Sequence, residues 1–363
     1  MWTTRHSGPS TLQTPWRGRK WNRALADGTL RAMTQPRTEP PPSVGWRARA
    51  AALAGVVAAG FVYALYARQT RSVISDWDPT WVGTQALLHG RSPYAAIQVP
   101  PWPNYLLYPL PALLLSAPFT FIPLAVARGL FAGIGAAAFT FVITARGRWT
   151  LYLLISGAML WSWIDVQWPT LLMAAALVPN FSWMLAAKPT LGLALWCAYP
   201  NRKAVIGGLL FVGLCFLVRP GWGAEWLASV ARTPHKAHLL RPGGFLLLLS
   251  LLRWRRPEAR LLAVLSLMPQ TTALYEALPL ALAAERKVEA AAFASLTMVA
   301  HLLYLLGPQG PWPVGAEYQW WVMLCLIYLP VLALILSRPN TAGSPRREPS
   351  RAEPMPGASA AAA

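Results

Sequence analysis

Ala50-Ala51-Ala52-Leu53-Ala54-Gly55-Val56-Val57-Ala58-Ala59-Gly60-Phe61-Val62-Tyr63-Ala64-Leu65-Tyr66 decides the class of this protein. Seventeen or more apolar residues without a charge are enough to cross a bilayer as a helix. Similar apolar stretches recur as far as Leu336. The 363-residue chain is 55% hydrophobic and only 12% charged, with a mean hydropathy of +0.38. A soluble domain carries about a quarter charged residues. The expected fold is therefore all-α, a polytopic transmembrane helical bundle.

The spans are expected at Ala50–Tyr66, Ala127–Thr144, Trp149–Ile164, Trp168–Val178, Phe181–Tyr199, Ala204–Val218, Phe245–Leu252, Leu261–Leu280, Val288–Leu306 and Trp320–Leu336. Several are short, so the count is about nine to eleven membrane segments. Tyr105–Pro123 is interrupted by Pro109, Pro111, Pro118 and Pro123. It reads either as a span or, as the charge distribution favours, as a pair of short helices that must be buried in protein. No internal repeat is visible.

Outside this domain, 46–337, lie two polar tails. Residues 1–45 are rich in Pro, Ser, Thr, Arg and Gly, and 338–363 are similar, a composition expected to stay disordered. Met33 is a second candidate start beside Met1. No secretory signal is expected, because the first apolar run begins late and lacks a cleavage site.

A formal net charge of +19 invites a nucleic-acid reading. The arginines argue against it: they gather in the tails (Arg5, Arg17, Arg19, Arg23, Arg31, Arg37; Arg346, Arg347, Arg351) and in short loops (Arg146, Arg148; Arg253, Arg255, Arg256). That is the bias of cytoplasmic segments, not a groove-tracking stripe. Arg47 and Arg49 ahead of the first span place the N-terminus in the cytoplasm and the loop 67–104 outside, in a plasma (inner) membrane protein. Cys197, Cys215 and Cys325 stand singly in apolar runs and read as packing residues. His89, His235, His238 and His301 form no ligand cluster.

The polar residues that remain near the membrane are candidates for function. Asp76 and Asp78 follow the first span in Ser75-Asp76-Trp77-Asp78. A carboxylate there can deprotonate a hydroxyl, hold a divalent metal or carry protons. Equally, Asp78 ahead of Pro79 fits a helix N-cap. The two point about 200° apart on a helix, so one of them is expected to face a site. Asp165 and Gln167 separate two apolar runs. Lys188-Pro189 breaks another, and an ammonium at a broken helix suits a phosphate, or else snorkels to an interface. Arg219 is a second phosphate candidate or an anchor. Gln270 and Tyr275-Glu276 line a polar cavity or a loop. Gly90 is expected as the residue after a helix end, with Pro93 blocking continuation. Nothing in the sequence indicates a metal or another cofactor.

The run Ser75-Asp76-Trp77-Asp78, Trp81, Ala86-Leu87-Leu88-His89-Gly90-Arg91-Ser92-Pro93-Tyr94 resembles glycosyltransferase family 87 of the GT-C superfamily. The resemblance continues in Tyr108-Pro109-Leu110-Pro111, Gln167-Trp168-Pro169, Ala187-Lys188-Pro189 and Arg253–Arg260, and covers roughly Ala50–Leu306. It implies a GT-C-like bundle whose first extracytoplasmic loop supplies the catalytic acid. It also implies a polyprenyl-phosphate-linked sugar (mannose-like hexose) as donor and a lipid or glycan as acceptor. Carried over by position, Asp76 is the general base and Asp78 its reserve. Gln167, Lys188, Arg219, Tyr94, Gln270 and Tyr275 are the candidate substrate contacts. A glycosyl phosphate already has a good leaving group, so one base plus a cation suffices; a second carboxylate is needed where a poor leaving group must be protonated. The alternative from the residues alone is a transporter or flippase of a lipid-linked substrate, which broken helices at midplane would favour.

Overall fold

A computed structural model describes residues 42–67, 74–97, 105–233, 235–308 and 314–341, all within one unit, Arg37–Ala342. The expected tails and Met33 lie almost wholly outside the described residues, as do 68–73 and 98–104 of the loop 67–104.

The described chain is helical, with a single isolated β-bridge between Ala237 and Pro269. The first apolar run forms α1 (Val44–Ala67), starting six residues before the expected span. α2 (Asp78–Leu88) follows and ends at His89, with Gly90 at φ +73° as its C-terminal residue type requires. Next come α3 (Leu110–Ser116), α4 (Leu124–Ile143), α5 (Gly157–Ile164) and α6 (Pro169–Leu177). The chain continues with α7 (Pro189–Ala198), α8 (Arg202–Val218), α9 (Trp222–Ala231), α10 (Pro257–Leu267), α11 (Lys287–Leu306), α12 (Val314–Met323) and α13 (Leu329–Leu336). A π-helical stretch, Leu324–Tyr328, joins α12 to α13.

Among the described residues, four helices are long and apolar enough to cross a membrane: Val44–Ala67, Leu124–Arg146, Lys287–Leu306 and Gly315–Leu336. α8 and α9 make a fifth if a pair bent by 100° counts as one span. Two of the other expected spans, Trp168–Val178 and Phe245–Leu252, are single helices too short to cross, and three are broken, each at a residue that explains it. Trp149–Ile164 divides at Ser156, whose hydroxyl caps α5 by accepting from the Met159 N–H. Phe181–Tyr199 divides at Lys188-Pro189, where the proline lacks the N–H that a continuous helix needs. Leu261–Leu280 divides after Leu267, with Pro269 in the gap. Tyr105–Pro123 contains one short apolar helix, Leu110–Phe121; at 1.5 Å per residue it reaches roughly 18 Å, well short of the roughly 30 Å hydrocarbon core.

α1 and α4 are antiparallel and pack through small residues. A Cβ on Gly129 would stand 2.8 Å from the Ala59 carbonyl oxygen, and one on Gly133 2.8 Å from that of Gly55. Gly129 and Gly133, four apart, thus let two backbones touch, the device that holds helices together in lipid. At one end of the pair Arg47 donates to the Phe141 carbonyl (2.6 Å). At the other, the Tyr66 hydroxyl donates to the Ile164 carbonyl (2.6 Å).

The Arg47 end gathers the basic loops. Arg146 donates to the Leu282 and Ala284 carbonyls, Arg260 to Cys197 and Ala198, and Arg253 to Leu336 and Arg338. Each guanidinium satisfies carbonyls left open where a helix stops. Beside them Arg256, Arg286 and Arg338 interlock with Glu258, Glu285 and Glu289. The outward faces are apolar: Leu217 is 82% exposed and Leu306 83%. Contiguous apolar surface of this kind marks a membrane or partner contact rather than a water-facing one.

Candidate functional site

The opposite end of the α1–α4 pair holds the polar cluster. Asp76 lies in the turn between α1 and α2. Its Oδ2 accepts hydrogen bonds from Gln167 Nε2 (2.9 Å) and the Tyr275 hydroxyl (2.9 Å). Gln167 Oε1 in turn accepts from the Tyr108 hydroxyl (3.1 Å) and Lys188 Nζ (3.4 Å). Lys188 Nζ pairs with Glu276 Oε1 at 3.0 Å and lies 5.0 Å from the centre of the Tyr275 ring. Glu276 Oε2 is buried and finds no hydrogen-bond partner among the described residues. Residues up to 200 positions apart, on five separate segments of the chain, therefore converge on one carboxylate and one ammonium.

The local chain explains each placement. Lys188 is the residue before Pro189 and stays out of the helical region (φ −136°, ψ 86°) at the start of α7, as the clash with a following proline ring favours. The turn is tight: a Cβ on Gly192 would meet the Leu185 carbonyl oxygen at 2.1 Å. Gln167 is aimed by its neighbour. Val166 has φ +53°, a left-handed conformation that a β-branched residue adopts at a cost of about 1–3 kcal/mol. It is held there by full burial and by the bonds from the Val166 and Gln167 N–H groups to the Trp163 and Ser162 carbonyls (3.1 and 2.8 Å).

Burial is the main influence on the Asp76 carboxyl and pushes it above the ordinary carboxylate range. The Tyr275 bond and the Lys188 charge oppose that shift, and the charges of Glu276 and Asp78 add to it. Asp165 is pushed up to about 8, first by burial and then by the Asp76 charge, although its Oδ2 accepts from Trp161 Nε1 (2.7 Å). The arrangement can accept a proton at Asp76 and place a positive charge within two hydrogen bonds of it.

Asp78 has a different occupation. It is 1% exposed. Oδ1 accepts from Ser75 Oγ (2.6 Å) and Arg128 Nε (2.7 Å), and Oδ2 from the Ser75 N–H (2.9 Å) and the second arm of Arg128. Both oxygens are saturated. Nor is Asp78 the N-cap: α2 begins at Asp78 itself, Trp77 stands before it without a side-chain cap, and the Asp78 carboxylate turns back to Ser75. Beneath it, Trp77 stacks on Phe131 with ring centres 4.9 Å apart, and Phe131 meets Trp168 edge-on at 4.9 Å.

The structure thus brings together Asp76, Gln167, Lys188 and Tyr275. Tyr94 is one step behind, its buried hydroxyl donating to the Tyr108 backbone carbonyl (3.3 Å). Arg219 is not joined to them by any contact; it forms an ion pair with Glu225 (2.6 Å), which also accepts from Ser92 Oγ (2.5 Å). Gln270 is buried, and neither atom of its amide finds a partner among the described residues. Two contributors escaped the sequence reading. Tyr108 belongs to the quoted motif Tyr108-Pro109-Leu110-Pro111, which by itself assigns it no contact. Arg128 did give a signal, as the only charge between Leu124 and Ile143: a lone arginine in an apolar run demands a carboxylate. Among the described residues no group of three or more His, Cys, Asp or Glu side chains could hold a metal ion. Compared with known proteins, no family model matches the chain, and no curated protein or solved structure matches it either.

Proposed function

We propose that the chain is an integral-membrane glycosyltransferase of the GT-C type, similar to family 87. It moves a hexose from a polyprenyl phosphate to a hydroxyl of a lipid or glycan acceptor on the extracytoplasmic face. The observation that supports this reading is the contact chain Asp76–Gln167–Lys188, which spaces one base and one cation across a single amide. In the transfer, Asp76 takes the proton of the acceptor hydroxyl as its oxygen bonds to the anomeric carbon. The bond from that carbon to the phosphate oxygen breaks, and its electron pair leaves with the polyprenyl phosphate. Lys188 offsets the charge on the departing phosphate, Gln167 and Tyr275 fix the carboxylate, and Tyr108 fixes Gln167. A positioned base contributes roughly 10²- to 10⁴-fold.

The basic loops at the Arg47 end lie in the cytoplasm of a plasma membrane on this reading, which leaves Asp76 outside. The shorter apolar helices Leu110–Phe121, Pro189–Ala198, Gly244–Arg253 and Leu274–Ala283 then count as membrane segments, which brings the total toward nine. The 100° bend between α8 and α9 and the break at Lys188 also suit a transporter of a lipid-linked substrate.

Surface glycolipids of a strain lacking the chain, complemented with wild type or with Asp76→Asn, test the reading. Wild type restores a missing glycolipid and Asp76→Asn does not. Full restoration by Asp76→Asn refutes the mechanism. Movement of a lipid-linked sugar across vesicles without a new glycosidic bond favours the transporter.

A further inference from the structure

Four arginines are buried among the described residues: Arg128, Arg241, Arg256 and Arg338. Three face carboxylates. Arg128 pairs with Asp78, Arg256 with Glu258 and Glu285, and Arg338 with Glu258 and Glu289. Arg241, only 8% exposed, faces none among the described residues, and its Nε has no hydrogen-bond acceptor. An isolated buried cation is among the costliest things a fold can hold.

Its surroundings are unsatisfied as well. Arg241 lies 5.8 Å from the centre of the Trp320 ring, which is 5.0 Å from His238 and 5.9 Å from Tyr328; His238 and Tyr328 are 5.2 Å apart. The Tyr328 hydroxyl and His238 Nδ1 are buried without partners. The bridge between Ala237 and Pro269 and the bond from the Gln270 N–H to the Lys236 carbonyl (3.5 Å) set the Gln270 backbone beside that of His238, and both atoms of its buried amide are unpartnered. Each such atom costs about 1–3 kcal/mol if nothing meets it, and native proteins keep few of them.

The pattern specifies a ligand. Arg241 supplies a cation, and the Tyr328 hydroxyl and Gln270 Nε2 supply donors. His238 Nε2 sits 3.2 Å from the Thr271 carbonyl, so it carries the ring proton, and Nδ1 is an acceptor. Burial, the largest influence, holds the imidazole at about 4 and hence neutral at physiological pH. His238 Nδ1 and Gln270 Oε1 therefore call for a hydroxyl. A guanidinium fork with further donors matches the several oxygens of a phosphate.

We propose that His238, Arg241, Gln270 and Tyr328 form a binding site for a phosphate group bearing a neighbouring hydroxyl. It is built from side chains other than Asp76, Gln167, Lys188 and Tyr275, although Tyr328 lies within electrostatic reach of Glu276, the partner of Lys188. The same chemistry is offered by a polyol phospholipid headgroup and by a small soluble polyol phosphate.

The test uses the full chain in phosphatidylcholine nanodiscs. Thermal unfolding is followed as phosphatidylglycerol is added to the bilayer, or as glycerol 3-phosphate or inorganic phosphate is added to the solution. A ligand that binds the native state raises the melting temperature in proportion to its occupancy. A rise with phosphatidylglycerol alone identifies a headgroup site, and a rise with glycerol 3-phosphate identifies a soluble one; both support the proposal. In either case Arg241→Met abolishes the rise, and in plain phosphatidylcholine it melts above wild type, because an uncompensated charge has gone. Should Arg241→Met fail to fold, Arg241→Lys keeps the charge, loses the fork and binds at least tenfold more weakly. No rise with any probe overturns the proposal. So does a rise that Arg241→Met or Arg241→Lys leaves intact.

Discussion

Asp78→Ala is expected to damage the fold, where Asp76→Asn is expected to leave it standing. The substitution removes the two carboxylate oxygens bonded to Arg128. The guanidinium then loses its ion pair and rests over the Tyr66 ring, 4.1 Å away, about nine-tenths buried. Deleting one partner of a buried ion pair costs about 3–5 kcal/mol, because the other charge is left uncompensated. The Ser75 N–H and hydroxyl lose their acceptor too, at about 1–3 kcal/mol for each group that stays dry. Reversible unfolding of the purified full chain in mixed micelles measures the loss, which should be at least about 3 kcal/mol. The double variant Asp78→Leu/Arg128→Met should recover most of it, since an apolar pair of similar volume replaces a buried ion pair at little cost. A loss below about 1 kcal/mol for Asp78→Ala, or a double variant worse than the single, would refute the structural role assigned here to Asp78.

Three further predictions rest on geometry. Gly133→Val puts a side chain into the Gly55 carbonyl and Ala59 Cβ, both within 3 Å; it should separate α1 from α4 and lower the melting temperature more than Gly60→Val, where the space is open. Gly192→Ala, blocked by the Leu185 carbonyl, should disturb the turn that presents Lys188; donor binding comparable to wild type would show the turn to be irrelevant. Asp165 gives a pH signature. Its carboxyl is pushed up to about 8 in the fold, against about 3.9 in an unfolded chain. The native state therefore binds the proton more tightly. The contribution of Asp165 to stability is greatest below about pH 4, declines as pH rises from there, and is fully lost above about 8. Asp165→Asn should flatten that decline and stabilise the protein more at pH 9 than at pH 5; an unchanged slope would contradict the shift.

The class of fold is written in the sequence because uncharged runs such as Ala50–Tyr66 have one stable solution in lipid. The ends of the runs are legible where proline or glycine fixes them, as at Gly90 and Pro189. The break at Ser156 is not, since a capping serine looks like ordinary apolar sequence until neighbours pack against it, whereas Pro269 marks the break after Leu267. The same division holds for the site. Asp76, Gln167, Lys188 and Tyr275 stand out because polar side chains are costly beside a membrane. Which of them meet is a tertiary matter: Arg219 has the same chemistry as Lys188 but finds Glu225 six residues on. Asp76 and Asp78 are neighbours of one type, and only the distant Arg128 separates their roles. Val166 could not be anticipated, since its left-handed backbone is imposed by packing against its propensity.

The most direct measurement is the rate at which purified full-length protein releases polyprenyl phosphate from a synthetic polyprenyl-phosphate hexose. Acceptor lipids come from the strain that lacks the chain, and wild type is compared with Asp76→Asn. Asp76→Asn should be slower by a factor of about 10² or more, with donor binding within twofold of wild type and an unchanged melting temperature. Equal rates for the two proteins would show that Asp76 is not the base and would contradict the account at its centre.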